Sequence, residues 1–361
     1  MPVPVRVAVV GAGTVGLSQA LRVKEELGKD GAEVVVIADA FLSGTTSYGS
    51  GGLWEPYQIA GTPEERVNGW GKVAFDHFLK LLYSPDGGKA GVQLLTAYNL
   101  QQQHEAGSPL PSWRDIVFNF RPLSSQDIAQ MGLPARFTHG FTFGTLVIEQ
   151  RLYMAWLMDE LREKWGVEFR QAKIDSLEAF MAESASSFDV VVNCTGLGAG
   201  KLLGKEDDVY PIRGQVLRVK APWMNNVVFW GSSYIIPNVD TVVLGGTAQR
   251  GNWDTTPSEE DTRKILDDIC QVFPSMRDAP IETVWAGLRP GRTPLRLESS
   301  VTQSGALLCH NYGHGGSGIT LAMGCADDVV KNHILPYLKG RREKGKGEWV
   351  ATDWVRFRAK L

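Results

Sequence analysis

The fold of this chain is decided by the stretch Val5-Arg6-Val7-Ala8-Val9-Val10-Gly11-Ala12-Gly13-Thr14-Val15-Gly16. Its first six residues are mostly apolar and predict a short buried strand, and residues 17–27 predict a helix. The glycines between strand and helix predict a tight turn, and a second apolar run follows at residues 34–37. The sequence therefore predicts a βαβ unit close to the start of the chain.

The three glycines follow a predicted strand and open a predicted helix, which is the context of a dinucleotide-binding turn. Gly11 permits the tight turn, Gly13 allows the backbone to approach a pyrophosphate, and Gly16 allows the helix to lie close to the strand. The phosphates would then meet the positive N-terminus of the helix. Asp39 follows the second strand, where a carboxylate can accept hydrogen bonds from ribose hydroxyls. This motif alone does not distinguish NAD from FAD.

Two later strands have the same character. Residues 189–193 lead into a glycine turn at residues 195–200, and residues 306–309 lead into a second one at residues 311–318. A further loop of glycines and hydroxyls, residues 45–57, begins shortly after Asp39. Because separated strands each lead into a glycine loop, the sequence predicts one nucleotide-binding sheet assembled from discontinuous segments.

Between residues 210 and 250 the pattern changes to short alternating runs, which predict antiparallel strands. Residues 234–236 and 241–244 are joined by a turn suited to a hairpin. A helix is predicted to open at Thr256-Pro257, because proline fits the first helical position. The fold class is therefore α/β plus α+β. We predict a Rossmann-like nucleotide-binding domain of residues 1–56, 146–203 and 287–340, an inserted antiparallel-sheet substrate domain of residues 57–145 and 204–286, and a C-terminal tail of residues 341–361.

The composition excludes several classes of protein. The chain has 361 residues, of which 43% are apolar and 21% charged, as in ordinary globular proteins. Its net charge of −3 argues against a nucleic-acid partner. Neither a membrane-spanning run nor a secretory signal is apparent, so we expect an intracellular protein with no membrane contact. The four cysteines lack Cys-x-x-Cys spacing and the histidines lack a zinc-binding helix, so we expect reduced thiols and no metal.

Further motifs carry a resemblance to a known family. They are Arg213-Gly214-Gln215, Ser233-Tyr234-Ile235-Ile236-Pro237, Gly245-Gly246-Thr247, Gly287-Leu288-Arg289-Pro290 and Asn311-Tyr312-Gly313-His314-Gly315-Gly316-Ser317-Gly318-Ile319-Thr320. In this order, from about residue 5 to 335, the motifs resemble the D-amino acid oxidase family, which includes D-aspartate oxidase. The resemblance implies an FAD enzyme that oxidises D-amino acids to imino acids and passes the electrons to O₂, giving hydrogen peroxide. The imino acid then hydrolyses to a 2-oxo acid and ammonia.

The resemblance also implies roles for single residues. Arg289 and Tyr234 would hold the substrate carboxylate, and the Gly316 carbonyl would accept a hydrogen bond from the α-ammonium group. Without the resemblance, Arg289 could be a structural ion-pair partner and Tyr234 a packing residue of the sheet. The motifs contain no general base, so catalysis would rest on positioning against the flavin. The residues implied to contact FAD are Gly11, Gly13, Thr14, Val15, Gly16, Asp39, Thr45, Thr46, Gly52, Leu53, Ile174, Thr195, Gly315, Gly318, Ile319 and Thr320.

Three departures from the family pattern bear on the substrate. Relatives that take acidic substrates carry an arginine where Ala248 stands, so we expect neutral D-amino acids here, although Arg250 could replace that cation. Animal members carry a second active-site tyrosine on a longer loop near the position of Trp230, and the short loop here argues against such a lid. The same members carry glutamine where Glu55 stands.

Other interpretations remain open at this point. An NAD-linked dehydrogenase is disfavoured by the three glycine loops at residues 45–57, 195–200 and 311–318. A non-catalytic nucleotide-binding sensor is disfavoured by Arg289 with Tyr234. D-Aspartate oxidase is the alternative within the family. Ala359-Lys360-Leu361 resembles a peroxisomal address, so we expect an import receptor as a partner and a peroxisomal location, or a cytoplasmic one for a bacterial source. Relatives are often homodimers, and we expect the same here.

Overall fold

The computed structural model describes residues 4–29, 31–103, 107, 109–183, 187–204 and 208–343. Within these ranges, 14 strands form one continuous sheet with helices packed against it. The strands are β1 (Val5–Val10), β2 (Ala32–Ala38), β3 (Val92–Gln102), β4 (Phe118–Leu123), β5 (Phe137–Ile148), β6 (Glu168–Gln171), β7 (Val190–Asn193), β8 (Tyr210–Val219), β9 (Val227–Trp230), β10 (Ser233–Pro237), β11 (Val242–Gly245), β12 (Gln249–Arg250), β13 (Ile281–Val301) and β14 (Leu307–His314). The helices are α1 (Thr14–Leu27), α2 (Glu64–Leu82), α3 (Ser125–Gln130), α4 (Gln150–Asp159), α5 (Leu177–Glu183), α6 (Gly198–Leu202), α7 (Glu259–Cys270), α8 (Gly318–Asp328) and α9 (Leu335–Glu343).

The predicted βαβ unit is present at the start of the chain. Strands β1 and β2 are parallel, with Val7 opposite Val34, and α1 connects them. Strands β7 and β14 extend the parallel sheet on the other side of β1, giving the order β14-β7-β1-β2-β6. The prediction of one parallel sheet assembled from discontinuous segments is confirmed.

Alternation along β1 explains why this sheet is covered on both faces. Val7 and Val9 belong to the apolar cluster that contains residues of α1 and α8, whereas Ala8 and Val10 belong to the cluster that contains residues of α5. Because successive side chains of a strand point to opposite faces, a continuous apolar run such as this one requires a helix layer on each side.

The predicted hairpin is also present, since β10 and β11 pair antiparallel with Ile236 opposite Val243. The two predicted sheets are nevertheless joined. The first part of β13 pairs with β8 and the later part pairs with β14, with an irregularity between Gly291 and Arg296. Two predicted domain boundaries, 145/146 and 286/287, therefore fall inside the strands β5 and β13. The division into two domains stays a prediction.

Helix α7 begins later than the sequence predicts. Its first residue is Glu259, and the Ser258 hydroxyl accepts a hydrogen bond from the Asp261 N–H at 3.3 Å. Pro257 therefore precedes the cap, and the prediction that it opens the helix is wrong. A serine oxygen satisfies a free backbone N–H of the first turn, which proline cannot do. Ile265 and Ile269 are buried beneath the substrate-side strands, at the helical spacing that the sequence shows.

Several simple properties complete the fold. Among the described helices, none is both long and apolar enough to cross a membrane. The same residues contain no group of three His, Cys, Asp or Glu side chains placed to hold a metal ion. All four cysteines are buried and free. The sequence Ala359-Lys360-Leu361 and all but the first three residues of the predicted tail lie outside the described residues.

Candidate active site

The carboxyl ends of β1, β2, β7 and β14 open into one cavity of about 470 Å³. Ligands of open α/β sheets bind at this end of the strands. The predicted residues that line the cavity are Gly11, Gly13, Val15, Asp39, Thr45, Thr46, Ile174, Thr195, Arg289, Gly315, Gly316, Gly318 and Ile319. The cavity therefore brings most of the predicted cofactor residues together with two of the predicted substrate residues.

The glycine turn at the start of α1 forms one wall of the cavity. Gly11 has a φ of +109°, and a Cβ atom there would stand 2.5 Å from the Cys194 carbonyl oxygen. A Cβ atom at Gly16 would overlap the Gly11 carbonyl, so the helix approaches the strand more closely than any side chain allows. At Gly13, by contrast, only the Ser47 hydroxyl lies near the corresponding position, so the backbone is open to the cavity.

A second helix N-terminus reaches the same cavity. Gly318 is the first residue of α8, and the nearest atom to its absent Cβ is the His314 Cβ at 4.0 Å. Helix N-termini carry partial positive charge and exposed N–H groups, which favour phosphate oxygens. A long cavity with two such ends and glycine-rich walls fits a dinucleotide such as FAD. Asp39, at the end of β2, supplies an exposed carboxylate at the rim.

The remaining predicted residues lie behind this wall or beside it. Those that do not line the cavity are Thr14, Gly16, Gly52, Leu53, Thr320 and Tyr234. The Thr14 hydroxyl donates to the Gln150 side chain, and its N–H donates to the Ser47 hydroxyl at 3.1 Å. Gly52 and Leu53 attach to β5, where the Ile148 N–H donates to the Gly52 carbonyl at 2.8 Å. Thr14, Gly52 and Leu53 therefore support the lining from behind instead of forming it.

Arg289 lies at the other end of the cavity, on β13. Its Nη1 donates to the Thr247 carbonyl at 3.0 Å, and its guanidinium lies against Gly214 of β8. The guanidinium carbon is 5.9 Å from the centre of the Tyr57 ring. The ring of Tyr234 lies nearby against the glycines at the end of β11, where a Cβ atom at Gly246 would stand 2.7 Å from its hydroxyl.

Comparison with known proteins agrees with this arrangement. The family profile described as FAD dependent oxidoreductase, DAO, matches residues 6–331. The chain belongs to this family. Human D-aspartate oxidase is 35% identical over 331 residues, covering 90% of this chain and 94% of the human protein. The D-amino-acid oxidase of Rubrobacter xylanophilus is 38% identical over 331 residues, with the same coverage of both chains.

Solved structures show the same fold for this DAO family member. Glycine oxidase from Geobacillus kaustophilus superposes with a TM-score of 0.74 at 19% identity, covering 91% of this chain and 95% of that one. The FAD-bound L-α-glycerophosphate oxidase of Mycoplasma pneumoniae has a TM-score of 0.69 at 15% identity, covering 92% and 94%. The family match and the curated relatives show that the protein is an FAD-dependent oxidoreductase, and the solved structures show its fold.

Sequence reasoning missed several side chains of this DAO family site. Ser47 and His314 line the cavity and stand inside stretches that the sequence had already singled out. Burial lowers the pKa of His314 to about 3, so this imidazole is neutral at the cavity wall. Lys173 and Lys201 also line the cavity, but neither belongs to a recognisable pattern, and no sequence signal could have found them.

Glu55 was noted only as a departure from the family pattern, and Tyr57 was not singled out, because the neighbours of both residues come from distant segments. Burial raises the pKa of Tyr57, and the charges of Arg289, Tyr234 and Glu55 all act on it, with Arg289 opposing the rise. These four side chains therefore share one electrostatic neighbourhood at the Arg289 end of the site.

Trp230, Ala248 and Arg250 occupy positions that bear on the substrate. The Trp230 side chain is buried and packs edge-on against Phe137 with 6.0 Å between ring centres, so it serves as a core residue and not as a lid. Ala248 is exposed. The Arg250 guanidinium is stacked 3.9 Å from the centre of the Tyr210 ring, which gives this cation a partner of its own.

Proposed function

We propose that this protein is a D-amino-acid oxidase that converts neutral D-amino acids to 2-oxo acids, ammonia and hydrogen peroxide. One observation carries the proposal: Arg289 opens into the same cavity as the residues that fit FAD. Of the three Arg289 side-chain nitrogens, only Nη1 has a hydrogen-bond partner among the described residues. Nε and Nη2 therefore face no competing acceptor. A planar guanidinium in this state can hold a carboxylate through two parallel hydrogen bonds.

Each proposed anchor has a defined task. Arg289, held by the Thr247 carbonyl, binds the substrate carboxylate, and the Tyr234 hydroxyl donates a second hydrogen bond to it. The Gly316 carbonyl accepts a hydrogen bond from the amino group. With these two groups fixed and the α-hydrogen facing the cofactor, the side chain has one remaining direction, which selects the D-isomer. Bound FAD would supply the acceptor for the hydride of the α-carbon and the route by which the two electrons reach O₂, which would give hydrogen peroxide.

The chain's own residues contribute by positioning. The proposed anchors hold the substrate in one orientation, and alignment of this kind accounts for a large share of catalysis where the cofactor performs the bond chemistry. Water then hydrolyses the released imino acid to the 2-oxo acid and ammonia. We propose that the predicted FAD contacts apply, with the lining residues in direct contact and Thr14, Gly16, Gly52, Leu53 and Thr320 supporting them.

A neutral substrate is favoured over D-aspartate by the residues near Arg289. A second carboxylate in a buried site needs a cation, and Ala248 provides none. Arg250 is engaged with Tyr210. D-Aspartate oxidase is kept as the second candidate, because human D-aspartate oxidase is among the similar relatives.

The test is anaerobic reduction of the purified holoenzyme. We expect the flavin bands to bleach with D-alanine or D-methionine, and to stay unchanged with the L-isomers. After air is admitted, hydrogen peroxide and ammonia should form in equal amounts. A flavin that no D-amino acid reduces would overturn the proposal, and a higher kcat/KM for D-aspartate than for D-methionine would establish the second candidate.

Two further proposals concern the setting of the enzyme. We propose a homodimer, which sedimentation of the holoenzyme tests directly, since a monomer mass at micromolar concentration would contradict it.

We also propose import into peroxisomes through Ala359-Lys360-Leu361, where the hydrogen peroxide could be destroyed beside its source. An N-terminal fluorescent fusion with and without Leu361 tests this, and diffuse fluorescence from both versions would contradict it.

A further inference from the structure

Strand β8 carries a buried charge on the face of the sheet that is turned away from α7. Arg218 is only 4% exposed. Its neighbours in the strand, Leu217 and Val219, belong to the apolar cluster that contains residues of α7, so the Arg218 side chain points to the opposite face. A guanidinium that leaves water needs hydrogen-bond acceptors, and apolar side chains supply none. The acceptors of Arg218 therefore have to come from polar groups outside this strand.

The loop of residues 45–57, called the cofactor loop below, lies against the same face of the sheet. A Cβ atom at Gly49 would stand 2.2 Å from the Trp285 ring of β13, and one at Gly51 would stand 2.8 Å from the Ile236 side chain of β10. Both contacted side chains belong to the apolar cluster on this face, or pack against it. The loop backbone thus approaches the strands more closely than side chains at these two positions would allow.

Two side chains of the sheet hold consecutive carbonyl groups of the cofactor loop. Arg218 Nη2 donates to the Ser50 carbonyl at 3.1 Å, and Asn238 Nδ2 donates to the Gly51 carbonyl at 3.0 Å. Arg218 Nη1 in turn donates to Asn238 Oδ1 at 2.7 Å, so the two side chains support each other. Asn238 is 5% exposed and follows β10 in the turn to β11.

The other end of this contact reaches the cavity. Ser47 and Ser50 both line it. The Ser50 hydroxyl donates to the Ser47 carbonyl at 2.7 Å, and the Ser47 hydroxyl accepts a hydrogen bond from the Thr14 N–H at 3.1 Å. Thr14 is the first residue of α1, whose N-terminus fits the phosphates of FAD. A displacement of residues 50–51 would therefore move both the cavity wall and its contact with this helix.

We propose that Arg218 and Asn238 are positioning residues for the cofactor: they hold the cofactor loop in its binding conformation, and FAD affinity depends on them although neither lines the cavity. A loop that is ordered before the ligand arrives loses less conformational entropy on binding, which strengthens affinity without a new contact. The proposal concerns FAD and not the substrate, so it holds or fails independently of the D-amino acid that is oxidised.

Asn238→Asp tests the contact to the loop at nearly unchanged side-chain volume. The carboxylate still accepts the hydrogen bond from Arg218, but it has no N–H for the Gly51 carbonyl and places an oxygen beside it. We expect the Kd of FAD for the FAD-free protein, measured by flavin fluorescence, to rise about tenfold. Lys220→Met is the matched control, because Lys220 Nζ donates to the Asp240 carbonyl of the same turn at 3.0 Å from its exposed side. Its Kd should match that of the wild type.

Arg218 provides a second, independent variant pair. We expect Arg218→Met to raise the Kd of FAD about tenfold or more, and Arg218→Lys to recover part of the loss, since an ammonium group can donate to one of the two acceptors. All titrations are made well below the Tm of each FAD-free protein. Nearly all molecules are folded there, so a general loss of stability leaves the Kd unchanged.

The outcomes separate positioning from simple stabilisation of the fold. A wild-type Kd in Asn238→Asp would overturn the proposal, even if its Tm falls or Arg218→Met does not fold. An equal rise of the Kd in Lys220→Met would also overturn it, because the loop would then respond to any change at this turn. A raised Kd in Asn238→Asp with a wild-type Kd in Lys220→Met would support it, whether or not any D-amino acid reduces the bound flavin.

Discussion

The guanidinium of Arg289 occupies the space that a Cβ atom at Gly214 would fill. Gly214 lies on β8 opposite Gly287 of β13, two residues before the arginine, so the Arg289 side chain lies across the neighbouring strand. The Thr247 carbonyl then fixes Nη1 at 3.0 Å. The Arg289 guanidinium therefore keeps its position for two reasons: Gly214 has no side chain in that space, and the Thr247 carbonyl accepts a hydrogen bond from Nη1.

Gly214→Ala is expected to weaken substrate binding without unfolding the protein. The added methyl group would meet the free end of a long side chain, which can move, and no backbone atom stands equally close. We expect KM for a D-amino acid to rise about tenfold or more while Tm and flavin content stay within error. Gly69→Ala is the matched control, because nothing stands near the added methyl on α2. An unchanged KM in Gly214→Ala would show that Arg289 does not set substrate affinity.

Arg289→Ala should remove the anchor altogether. Loss of a bidentate charged contact leaves the substrate carboxylate unpaired, which costs on the order of 3 to 5 kcal/mol. We expect kcat/KM to fall several hundredfold at unchanged flavin content, and Arg289→Lys to recover only a small part, since an ammonium group cannot form two parallel hydrogen bonds. Steady-state kinetics with D-methionine measure this, and a near wild-type kcat/KM in Arg289→Ala would refute the role.

Local patterns explain why the parallel sheet and the hairpin could be predicted. The residues of β1, the turn at Gly11 and helix α1 are contiguous, so their spacing alone carries the information. The join between the two predicted sheets could not be predicted in this way. Pro290 and Pro294 interrupt the pattern of β13, yet the strand continues through them while it changes partner from β8 to β14.

The site shows the same limit. The lining residues of the glycine motifs could be predicted because the motif itself requires close backbone approach. The position of Glu55 beside the start of α8 could not be predicted, because the Thr320 hydroxyl that fixes its backbone is 265 residues away in the sequence. The sequence singles out Arg289 over Arg213 as the anchor only through the family resemblance. In the fold, Arg213 is buried and bonded to Asp261, whereas Arg289 lines the cavity.

Two glycines of the α1 turn should respond differently to alanine. At Gly11, the φ of +109° and the Cys194 carbonyl at 2.5 Å both oppose a side chain, so Gly11→Ala should lose about 1 to 3 kcal/mol of stability or more. At Gly13, the methyl group would meet only the Ser47 hydroxyl, so Gly13→Ala should fold and lose mainly FAD affinity. Melting of the FAD-free proteins and FAD titration check this. Equal effects on stability would contradict the open backbone at Gly13.

Glu55 should make the stability of the FAD-free protein depend on pH. Between pH 4.5 and about 8 the unfolded chain carries an ionised Glu55 and the folded protein a neutral one, so the folded state binds one more proton. Its stability therefore falls as pH rises through this window, by at most about 5 kcal/mol in total and by less where solvent screens the partly exposed side chain. Glu55→Gln lacks this loss, and its Tm should exceed that of the wild type at pH 8.5 but not at pH 4. A constant Tm difference across this range would contradict the raised pKa.

Arg213 should prove essential for stability and not for substrate binding. Its buried guanidinium donates to the Asp261 carboxylate at 2.7 Å and to the carbonyls of Asp254 and Thr256 at 2.7 and 2.8 Å, which attaches the segment before α7 to β8. Arg213→Ala leaves Asp261 without its ion-pair partner, so we expect a loss of about 3 to 5 kcal/mol. The control is the exposed ion pair between Arg277 and Asp267, of which Asp267 lies on α7 and Arg277 lies beyond its end. Arg277→Ala should leave Tm unchanged. Chemical denaturation measures the loss of stability. KM for D-methionine in the folded fraction of Arg213→Ala should match that of the wild type. A raised KM at wild-type stability would mean that Arg213, and not Arg289, binds the substrate.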